Sequence, residues 1–286
     1  MSRADTLTGS VRPIRSLGLF RSELLTVLRR WRTLALLAVL AAVPVLIGVA
    51  VRIETGDGGP AGGGPAFVAL ITNNGLFLVF ASLAATLPFF LPMAVGVVAG
   101  DAVAGEAAAG TLRYLLVAPA GRTRLLVSKY ASVLAFCLIA TLVVALSALV
   151  TGALLFPLGD VTLLSGTTVP FFEGLLRALL VALVVAGSLT GIAALGLFVS
   201  TLTDSGIAAM ATTVGLLITV QIVDTIPQLG AVQPYLFLHH WLSFADLVRE
   251  PVYWDGIRGN LQLQALYVAV FGSAAWARFT TRDVTC

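Results

Sequence analysis

Residues that could take part in chemistry are concentrated in one short segment of this sequence, GEAAAGTLRYLLVAPAGRTRLLVSK at positions 105–129. Its charged residues are Glu106, Arg113, Arg122, Arg124 and Lys129, the only lysine in the chain. Between these charges, Leu112, Leu115 and Leu116 form an apolar stripe at helical spacing. A leucine stripe must be buried, so the segment predicts binding chemistry, either on a membrane surface or in a groove of a partner protein.

The sequence lacks the residue patterns of catalysis, and we predict no catalytic residues. A Walker A loop ends in a lysine followed by Ser or Thr, whereas Lys129 is followed by Tyr130. No H-E-x-x-H or G-x-S-x-G motif is present. Glu54 and Asp57 share a glycine-rich loop that would not hold them as a general acid/base pair. The chain is therefore predicted not to be an enzyme.

Metal, cofactor and nucleic-acid sites are not expected either. His239 and His240 are the only histidines, and adjacent side chains on a helix point apart. Cys137 lies in an apolar run, where a cysteine packs as a small hydrophobic residue. We predict no metal site and no cofactor in this chain, and no nucleic-acid partner.

The composition is that of an integral membrane protein. Of 286 residues, 58% are hydrophobic and 11% are charged, and the mean hydropathy is +1.00; soluble domains carry about 25% charged residues. Six apolar stretches can cross a bilayer and lack strand-like alternation, which predicts helices: 34–51, 75–99, 129–150, 175–198, 206–226 and 260–277. Pro88 and Pro92 should kink the second. The predicted fold class is all-α integral membrane, with a single transmembrane domain over residues 1–286.

The basic residues predict the orientation of these spans. Thirteen of the 17 lie before span one, between spans two and three, or after span six, counting Lys129 at the start of span three. By the positive-inside rule, both termini then lie in the cytoplasm, in the multi-pass arrangement of a bacterial or archaeal cell membrane. The cytoplasmic parts are residues 1–33, the coupling loop 100–128 and the tail 278–286. Within the first, residues 14–32 predict an amphipathic helix at the lipid head groups.

Two outer segments carry different signals. Residues 156–174 are rich in turn residues and predict a connector. Residues 227–259 are long and still apolar. They predict short helices that dip into the outer leaflet, with aromatic side chains at the interface.

Local signals position the leucine stripe inside segment 105–129. Glu106 precedes it, where a carboxylate suits the helix dipole. Gly110 indicates either a close backbone approach or a helix that starts at Thr111, and Pro119 ends the helix. The start of span three is expected at the head groups because of its basic residues, Arg122, Arg124 and Lys129. A chain without its own energy source that offers a docking helix suggests power supplied by a partner.

The same residues resemble the signature of ABC-2-type transporter permeases, notably the group that includes the nitrous-oxide-reductase accessory permease. The pattern E-x-x-x-G-T-L … L-x-x-P-x-x-R … K is matched by Glu106, Gly110, Thr111, Leu112, Leu116, Pro119, Arg122 and Lys129. Ala118 and Ala120 depart from it, because serine and valine are frequent there. The resemblance implies a type V exporter-like transmembrane domain with six spans and an N-terminal amphipathic interfacial helix. It also implies that residues 106–118 are a coupling helix.

Partners and function follow from the resemblance. Two copies of a separate ATP-binding cassette subunit would hold ATP and Mg, and a second permease copy, as a homodimer, or a paralogous permease would complete the transporter among the membrane lipids. The residues implied in docking the ATPase subunit are Glu106, Gly110, Thr111, Leu112, Arg113, Tyr114, Leu115, Leu116, Pro119 and Arg122. We expect ATP-driven export of a hydrophobic or amphipathic substrate, with Glu106 and Arg113 facing the partner.

Polar residues of the spans are candidates for the substrate pathway: Asn73, Asn74, Thr86, Thr212, Thr213, Thr219, Gln221 and Asp224. Two other functions stay open. A self-powered secondary transporter would need an ion-coupling residue, for which Asp224 is the candidate, and a structural membrane anchor would transport nothing. Gly96-x-x-x-Gly100 and Gly187-x-x-x-Gly191 allow close helix contacts, either within the chain or between copies.

Overall fold

A computed structural model describes residues 16–56, 66–110 and 121–281. The structure is 81% helical. The α-helices are α1 (Ser16–Arg29), α2 (Trp31–Thr55), α3 (Ala66–Asn73), α4 (Phe77–Thr86), α5 (Phe90–Ala108), α6 (Arg122–Leu155), α7 (Phe171–Ser188), α8 (Thr190–Leu202), α9 (Gly206–Thr225) and α10 (Asp255–Thr281). Helices α5, α8 and α9 pack together, and α6 contacts α1, α2, α4 and α7.

Five helical segments among the described residues are long and apolar enough to cross a membrane. They are Trp31–Thr55, Phe90–Ala108, Arg122–Leu155, Phe171–Leu202 and Gly206–Thr225. In lipid, a helix satisfies its own backbone hydrogen bonds, so apolar sequences of this length fold this way. The prediction of an all-α, multi-pass membrane protein is confirmed at this level.

The second predicted span is two helices rather than one kinked helix. The chain leaves helical geometry after α4, and Phe89, with φ −128° and ψ −60°, precedes α5. Pro92 has no N–H to donate to the carbonyl of Pro88, one turn earlier. The side chain of Gln221 on α9 donates to that carbonyl instead. The prolines therefore break the span, where the sequence predicted only a kink, and the side chain of Gln221 satisfies the free carbonyl at the break.

A second break, which the sequence did not predict, separates α7 from α8 at Leu189. Polar side chains of α10 satisfy the backbone and hydroxyl groups around it. Gln264 Oε1 accepts from the Gly191 backbone N–H at 3.2 Å, and Asn260 Nδ2 donates to Ser188 Oγ at 2.6 Å. Both α10 side chains are almost fully buried. Their polarity lowers the hydropathy of α10, the helix that contains predicted span six. It is not among the five apolar segments of the described chain.

Both glycine pairs pack within the chain. A Cβ at Gly100 would lie 2.9 Å from the backbone of Met210, and one at Gly96 would lie 3.3 Å from Thr213. A Cβ at Gly191 would lie 2.4 Å from Gln264 Oε1. The first pair thus allows α5 to approach α9, and the second allows the end of α7 and the start of α8 to approach α10. Of the two alternatives for these motifs, the structure supports contacts within the chain.

The segment between α6 and α7 contains a small hairpin, where the sequence predicted only a turn-rich connector. Strand β1 (Val161–Thr162) pairs antiparallel with β2 (Thr168–Val169), and Gly166 turns the chain with φ +83°. Leu164 N–H donates to the Val248 carbonyl at 2.9 Å. The hairpin thereby joins the segment between α9 and α10.

Residues between α9 and α10 form three short 3-10 helices, Pro227–Leu229, Gln233–Tyr235 and Trp241–Val248. The sequence predicted short helices here, and the structure has them; their depth in the outer leaflet stays a prediction. Arg177 of α7 fixes this segment, donating to the Arg249 carbonyl at 3.1 Å and forming an ion pair with Glu250. Tyr235, Tyr253 and Trp254 expose their rings.

The predicted amphipathic helix 14–32 corresponds to α1, which ends at Arg29, so Trp31 begins α2. Val27 and Leu28 pack against the main core, and Arg21 and Arg29 are exposed. The apolar face of α1 is therefore directed at the helix bundle.

Candidate functional site

The structure describes only part of the segment that the sequence singled out. Glu106 lies in the last turn of α5, and Gly110 follows that helix. Gly110 has φ +69°, and no atom of the described residues lies within 4 Å of a Cβ placed there. Its left-handed backbone at the end of α5 favours glycine. Arg122 begins α6. Thr111, Leu112, Arg113, Tyr114, Leu115, Leu116 and Pro119 lie outside the described residues.

A buried ion cluster forms where α1, α5 and α6 meet. Lys129 Nζ lies 2.5 Å from Glu106 Oε1 and 3.1 Å from Glu23 Oε2. The side chain of Lys129 is 2% exposed, and those of Glu23 and Glu106 are 11% and 12% exposed. Two carboxylates compensate the buried ammonium, as a charge in a low-dielectric environment requires.

A second ion pair extends this cluster along α5. Arg30, which follows α1, pairs with Asp101, which lies on α5 about one and a half turns before Glu106. Glycines make room for the Asp101 carboxylate, since a Cβ at Gly105 or Gly206 would lie 2.4 Å or 2.6 Å from its Oδ1. We call Glu23, Arg30, Asp101, Glu106 and Lys129 the ion cluster. It holds three carboxylates and two cations.

The ion cluster differs from two expectations drawn from the sequence. Lys129 was expected at the lipid head groups, but the structure buries it in the bundle. Glu106 was expected to face a partner, but its side chain turns inward to Lys129. These two residues fix the end of α5 to the first turns of α6. Segment 111–120 therefore starts and finishes on helices that are joined to each other and to α1.

The end of α10 lies beside the start of α6. Arg122 Nη1 donates to the Thr280 carbonyl at 2.9 Å, and Trp276 Nε1 donates to Thr123 Oγ1 at 3.0 Å. A second apolar core lies here, formed by Val103, Leu125, Leu126, Leu197, Ala275 and Phe279. Helix α1 and the end of α10 thus lie at one end of the bundle, where α5 ends and α6 begins.

The candidate pathway residues do not form one lining. The buried side chain of Asn74 donates to the carbonyls of Gly159 and Asp160 and so holds the connector after α6. Four threonines are separate from these contacts: Thr86 and Thr213 are buried, and Thr212 and Thr219 are exposed. Thr86, Thr213 and Thr219 each donate to a carbonyl one turn earlier. Asn73 is exposed.

Gln221 and Asp224 are the two pathway candidates that share a pocket. The pocket has a volume of about 230 Å³, and its walls include Pro88, Gln221, Asp224, Leu238, His239 and Trp241. We call it the Asp224 pocket. His239 Nδ1 lies 2.8 Å from Asp224 Oδ1. Gln221 Oε1 and Trp241 Nε1 are buried and have no hydrogen-bond partner among the described residues.

Of the two histidines, His239 lines this pocket, and His240 is its neighbour in the chain. Their ring centroids are 5.0 Å apart. Burial, together with the neighbouring His239, lowers the pKa of His240. These surroundings therefore favour the neutral form of the His240 imidazole. Among the described residues, no group of three His, Cys, Asp or Glu could hold a metal ion.

Sequence reasoning missed four residues of these two sites: Glu23, Arg30, Asp101 and His239. Each pairs with a residue at least 15 positions away in the chain. One signal was available for the ion cluster, since Glu23 is the only acidic residue between Thr6 and Val51 and Lys129 is the only lysine. Unique charges in apolar sequence are often paired with one another.

Comparison with known proteins places the chain in a family. A search of curated proteins gave no match. Residues 65–285 match DUF2705, a family of proteins of unknown function. Because this match covers most of the chain, the protein belongs to the DUF2705 family.

Proposed function

We propose that this protein is the membrane-spanning permease subunit of an ATP-binding cassette transporter of the ABC-2 type. The observation that carries the proposal is the leucine stripe of segment 105–129, together with the way its flanking helices are held. The ion cluster joins α5, α6 and α1 at both ends of this segment. A docking helix mounted on joined helices transmits a displacement to the bundle instead of absorbing it in a loose loop.

Power comes from a partner in this proposal. Two ATP-binding subunits bind and hydrolyse ATP with Mg, and each accepts the leucine stripe of one permease (Leu112, Leu115 and Leu116) in a cleft. Closure of the ATPase pair moves these segments, and α5 and α6 move with them. Hydrophobic or amphipathic cargo is exported as the two permeases rearrange.

A second permease copy completes the pathway. Helices α2 and α9 are the least buried of the five apolar segments. The exposed face of α9 carries small and β-branched residues such as Ala208, Ala211, Gly215 and Thr219. These faces suit contact between two copies, because small residues allow helices to approach closely.

Six spans fit this arrangement, with α10 as the sixth. An α-helix of 27 residues is about 40 Å long, more than the roughly 30 Å of a bilayer core. It runs from the segment beside α7 to the start of α6, where α1 also lies. Both termini then face the cytoplasm of a bacterial or archaeal cell, as the arginines predict.

Co-purification from the native host tests the proposal. The tagged chain is extracted in mild detergent, and its partners are identified by mass spectrometry. We expect a soluble subunit with a Walker A motif in about equal amounts. Leu112→Asp and Leu115→Asp put a charge into the docking stripe and should remove that subunit.

A matched variant separates docking from general damage. Leu164→Asp makes the same change at an exposed leucine of the hairpin, at the opposite end of the bundle, and should keep the ATPase. A properly folded native chain without any ATPase would contradict the proposal. Transport that stops with the ion gradient and needs Asp224 would instead favour the secondary transporter. Co-purification of other partner proteins without any ATPase would favour a structural membrane anchor that transports nothing.

A further inference from the structure

The Asp224 pocket is built from three separate elements. The break between α4 and α5 provides Leu87 and Pro88, and the last turn of α9 provides Gln221 and Asp224. The third wall is the segment around Trp241. Proline forces the break, and Gln221 holds it open by donating to the Pro88 carbonyl. The pocket is thus part of the fold.

The pocket offers a carboxylate to a ligand. Among the described residues, its lining contains no lysine or arginine, and its one carboxylate is that of Asp224. The Asp224 side chain is 23% exposed. His239 contacts Oδ1, and a carboxylate accepts hydrogen bonds at both of its oxygens. Asp224 can therefore bind a further hydrogen-bond donor.

Other groups strengthen this preference for a cation. Asp224 lies in the last turn of α9, where the helix dipole is negative. The end of α4 and the start of α5 are both close by, and their opposite partial charges offset each other. Beneath the surface, Gln221 Oε1 is a buried acceptor without a partner among the described residues. In apolar walls, such charges act at low dielectric and attract a cation more strongly than in water.

The walls select the class of cation. They are mainly apolar side chains, including Leu87, Phe89, Leu238 and Leu242. A metal ion needs more oxygen or nitrogen ligands than Asp224 and His239 provide. A volume of about 230 Å³ holds about eight groups the size of a water molecule. An organic ammonium with a short apolar chain matches the charge, the walls and the volume.

We propose that the Asp224 pocket binds the primary ammonium group of a small apolar or amphipathic amine. The ammonium donates to the Asp224 carboxylate, and its alkyl chain lies against the leucine, phenylalanine and tryptophan walls. His239 holds the carboxylate in position by its bond to Oδ1. That the amine is also exported cargo is an extension that rests on the proposed transporter function; binding itself does not need the ATPase.

Binding is measured on the full chain in phosphatidylcholine nanodiscs, without any partner. Ligand-observed NMR compares n-hexylammonium with n-hexanol and n-hexanoate, and empty discs correct for partitioning into lipid. We expect hexylammonium to bind at least about tenfold more tightly than hexanol, because the charged contact adds to the same apolar burial. Hexanoate should not bind detectably.

Variants assign that difference to Asp224. Asp224→Asn should weaken hexylammonium by about tenfold and leave hexanol unchanged, since it removes the charge and keeps the shape. Asp160→Asn, the same change at an exposed residue of the hairpin segment, should alter neither. Equal affinity for hexylammonium and hexanol in the native chain would overturn the proposal, as would an Asp224→Asn variant with unchanged hexylammonium affinity.

A further experiment distinguishes two sources of the ammonium group, a lipid head group and a free amine. Phosphatidylethanolamine carries a primary ammonium in its head group. If this lipid is the ligand, discs that contain it will lower the apparent affinity for hexylammonium by competition. Unchanged affinity assigns the pocket to a free amine. The two experiments are independent. Amine binding can be found even if no ATPase subunit co-purifies, and an ATPase subunit can co-purify even if no amine binds.

Discussion

Lys129 is buried among apolar helices because two carboxylates come to it from other parts of the chain. An ammonium group without partners would cost several kcal/mol at this depth. Glu106 and Glu23 supply the compensation from α5 and α1, at 2.5 Å and 3.1 Å. The single lysine of the sequence therefore determines how three elements meet.

Replacing this lysine should be far more harmful than replacing an exposed cation. Lys129→Met leaves two carboxylates facing each other in a buried site, and we expect a loss of about 3–5 kcal/mol of unfolding free energy. Arg249→Met is the matched control. Its pair with Asp246 spans 4.0 Å and its side chain is 52% exposed. That pair is worth about 1 kcal/mol or less. Denaturant titration of both variants in detergent measures the difference.

A third variant tests the cause of the loss. Neutralising the whole group by Glu23→Gln and Glu106→Gln together with Lys129→Met should recover much of the stability, because no buried charge is then left without a partner. If Lys129→Met were as mild as Arg249→Met, the ion cluster would have no structural role.

At the scale of single residues, the sequence identified important residues, but it did not predict their contacts in the fold. It singled out Glu106 and Lys129 through their pattern, and it paired neither with Glu23. The reason is physical: 106 positions separate Lys129 from Glu23, and periodicity reports only local neighbours. The sequence assigned no role to His239 for the same reason, since its partner Asp224 lies 15 positions earlier in the chain.

At the scale of elements, backbone contacts between glycines decide where helices can approach. Gly152 of α6 touches Gly75, which lies between α3 and α4. A Cβ on Gly152 would lie 2.1 Å from the Gly75 carbonyl oxygen, and a Cβ on Gly75 would lie 2.3 Å from that of Gly152. Both obstacles are backbone atoms, so neither can rotate away.

Gly152→Ala should therefore separate α6 from the start of α4. Overpacking of this kind typically costs about 1–3 kcal/mol, and backbone on both sides places this case at the upper end. The control is Gly272→Ala in α10, where no atom of the described part of the chain lies within 4 Å of the added Cβ. Alanine there should be neutral or stabilise by up to about 1 kcal/mol. Thermal unfolding in detergent compares the two, and equal midpoints would mean that the contact at Gly152 yields without cost.

Apolar runs and prolines predicted the elements well, because both act locally. The break at Pro88 follows from the chemistry of proline, and the short helices after α9 follow from their composition. No proline in the sequence indicates the break at Leu189. It depends on Asn260 and Gln264, about 70 positions later, which provide hydrogen bonds at the break. The hairpin at 161–169 is similarly held by Val248.

At the scale of the whole molecule, the direction of α10 decides the topology. The polar residues of α10 that support the break at Leu189 also lower the hydropathy of α10. By hydropathy alone, α10 is therefore not counted with the five apolar segments of the described chain. Contacts support a membrane crossing by α10. The end of α10 contacts Arg122 at the start of α6, and α1 contacts the same part of α6. With α10 as a span, both termini lie on one side.

Cysteine labelling of the two termini counts the spans. The chain has two cysteines, of which Cys137 is buried, so Cys137→Ala leaves Cys286 as a single C-terminal probe. Ser2→Cys in a chain without the native cysteines provides the N-terminal probe. Six spans with cytoplasmic termini predict that a membrane-impermeant maleimide labels neither in intact cells and both in opened cells. Asp160→Cys, exposed between α6 and α7, should be labelled in intact cells. Termini that label on opposite sides would instead leave α10 outside the bilayer, because an odd number of crossings separates the two ends.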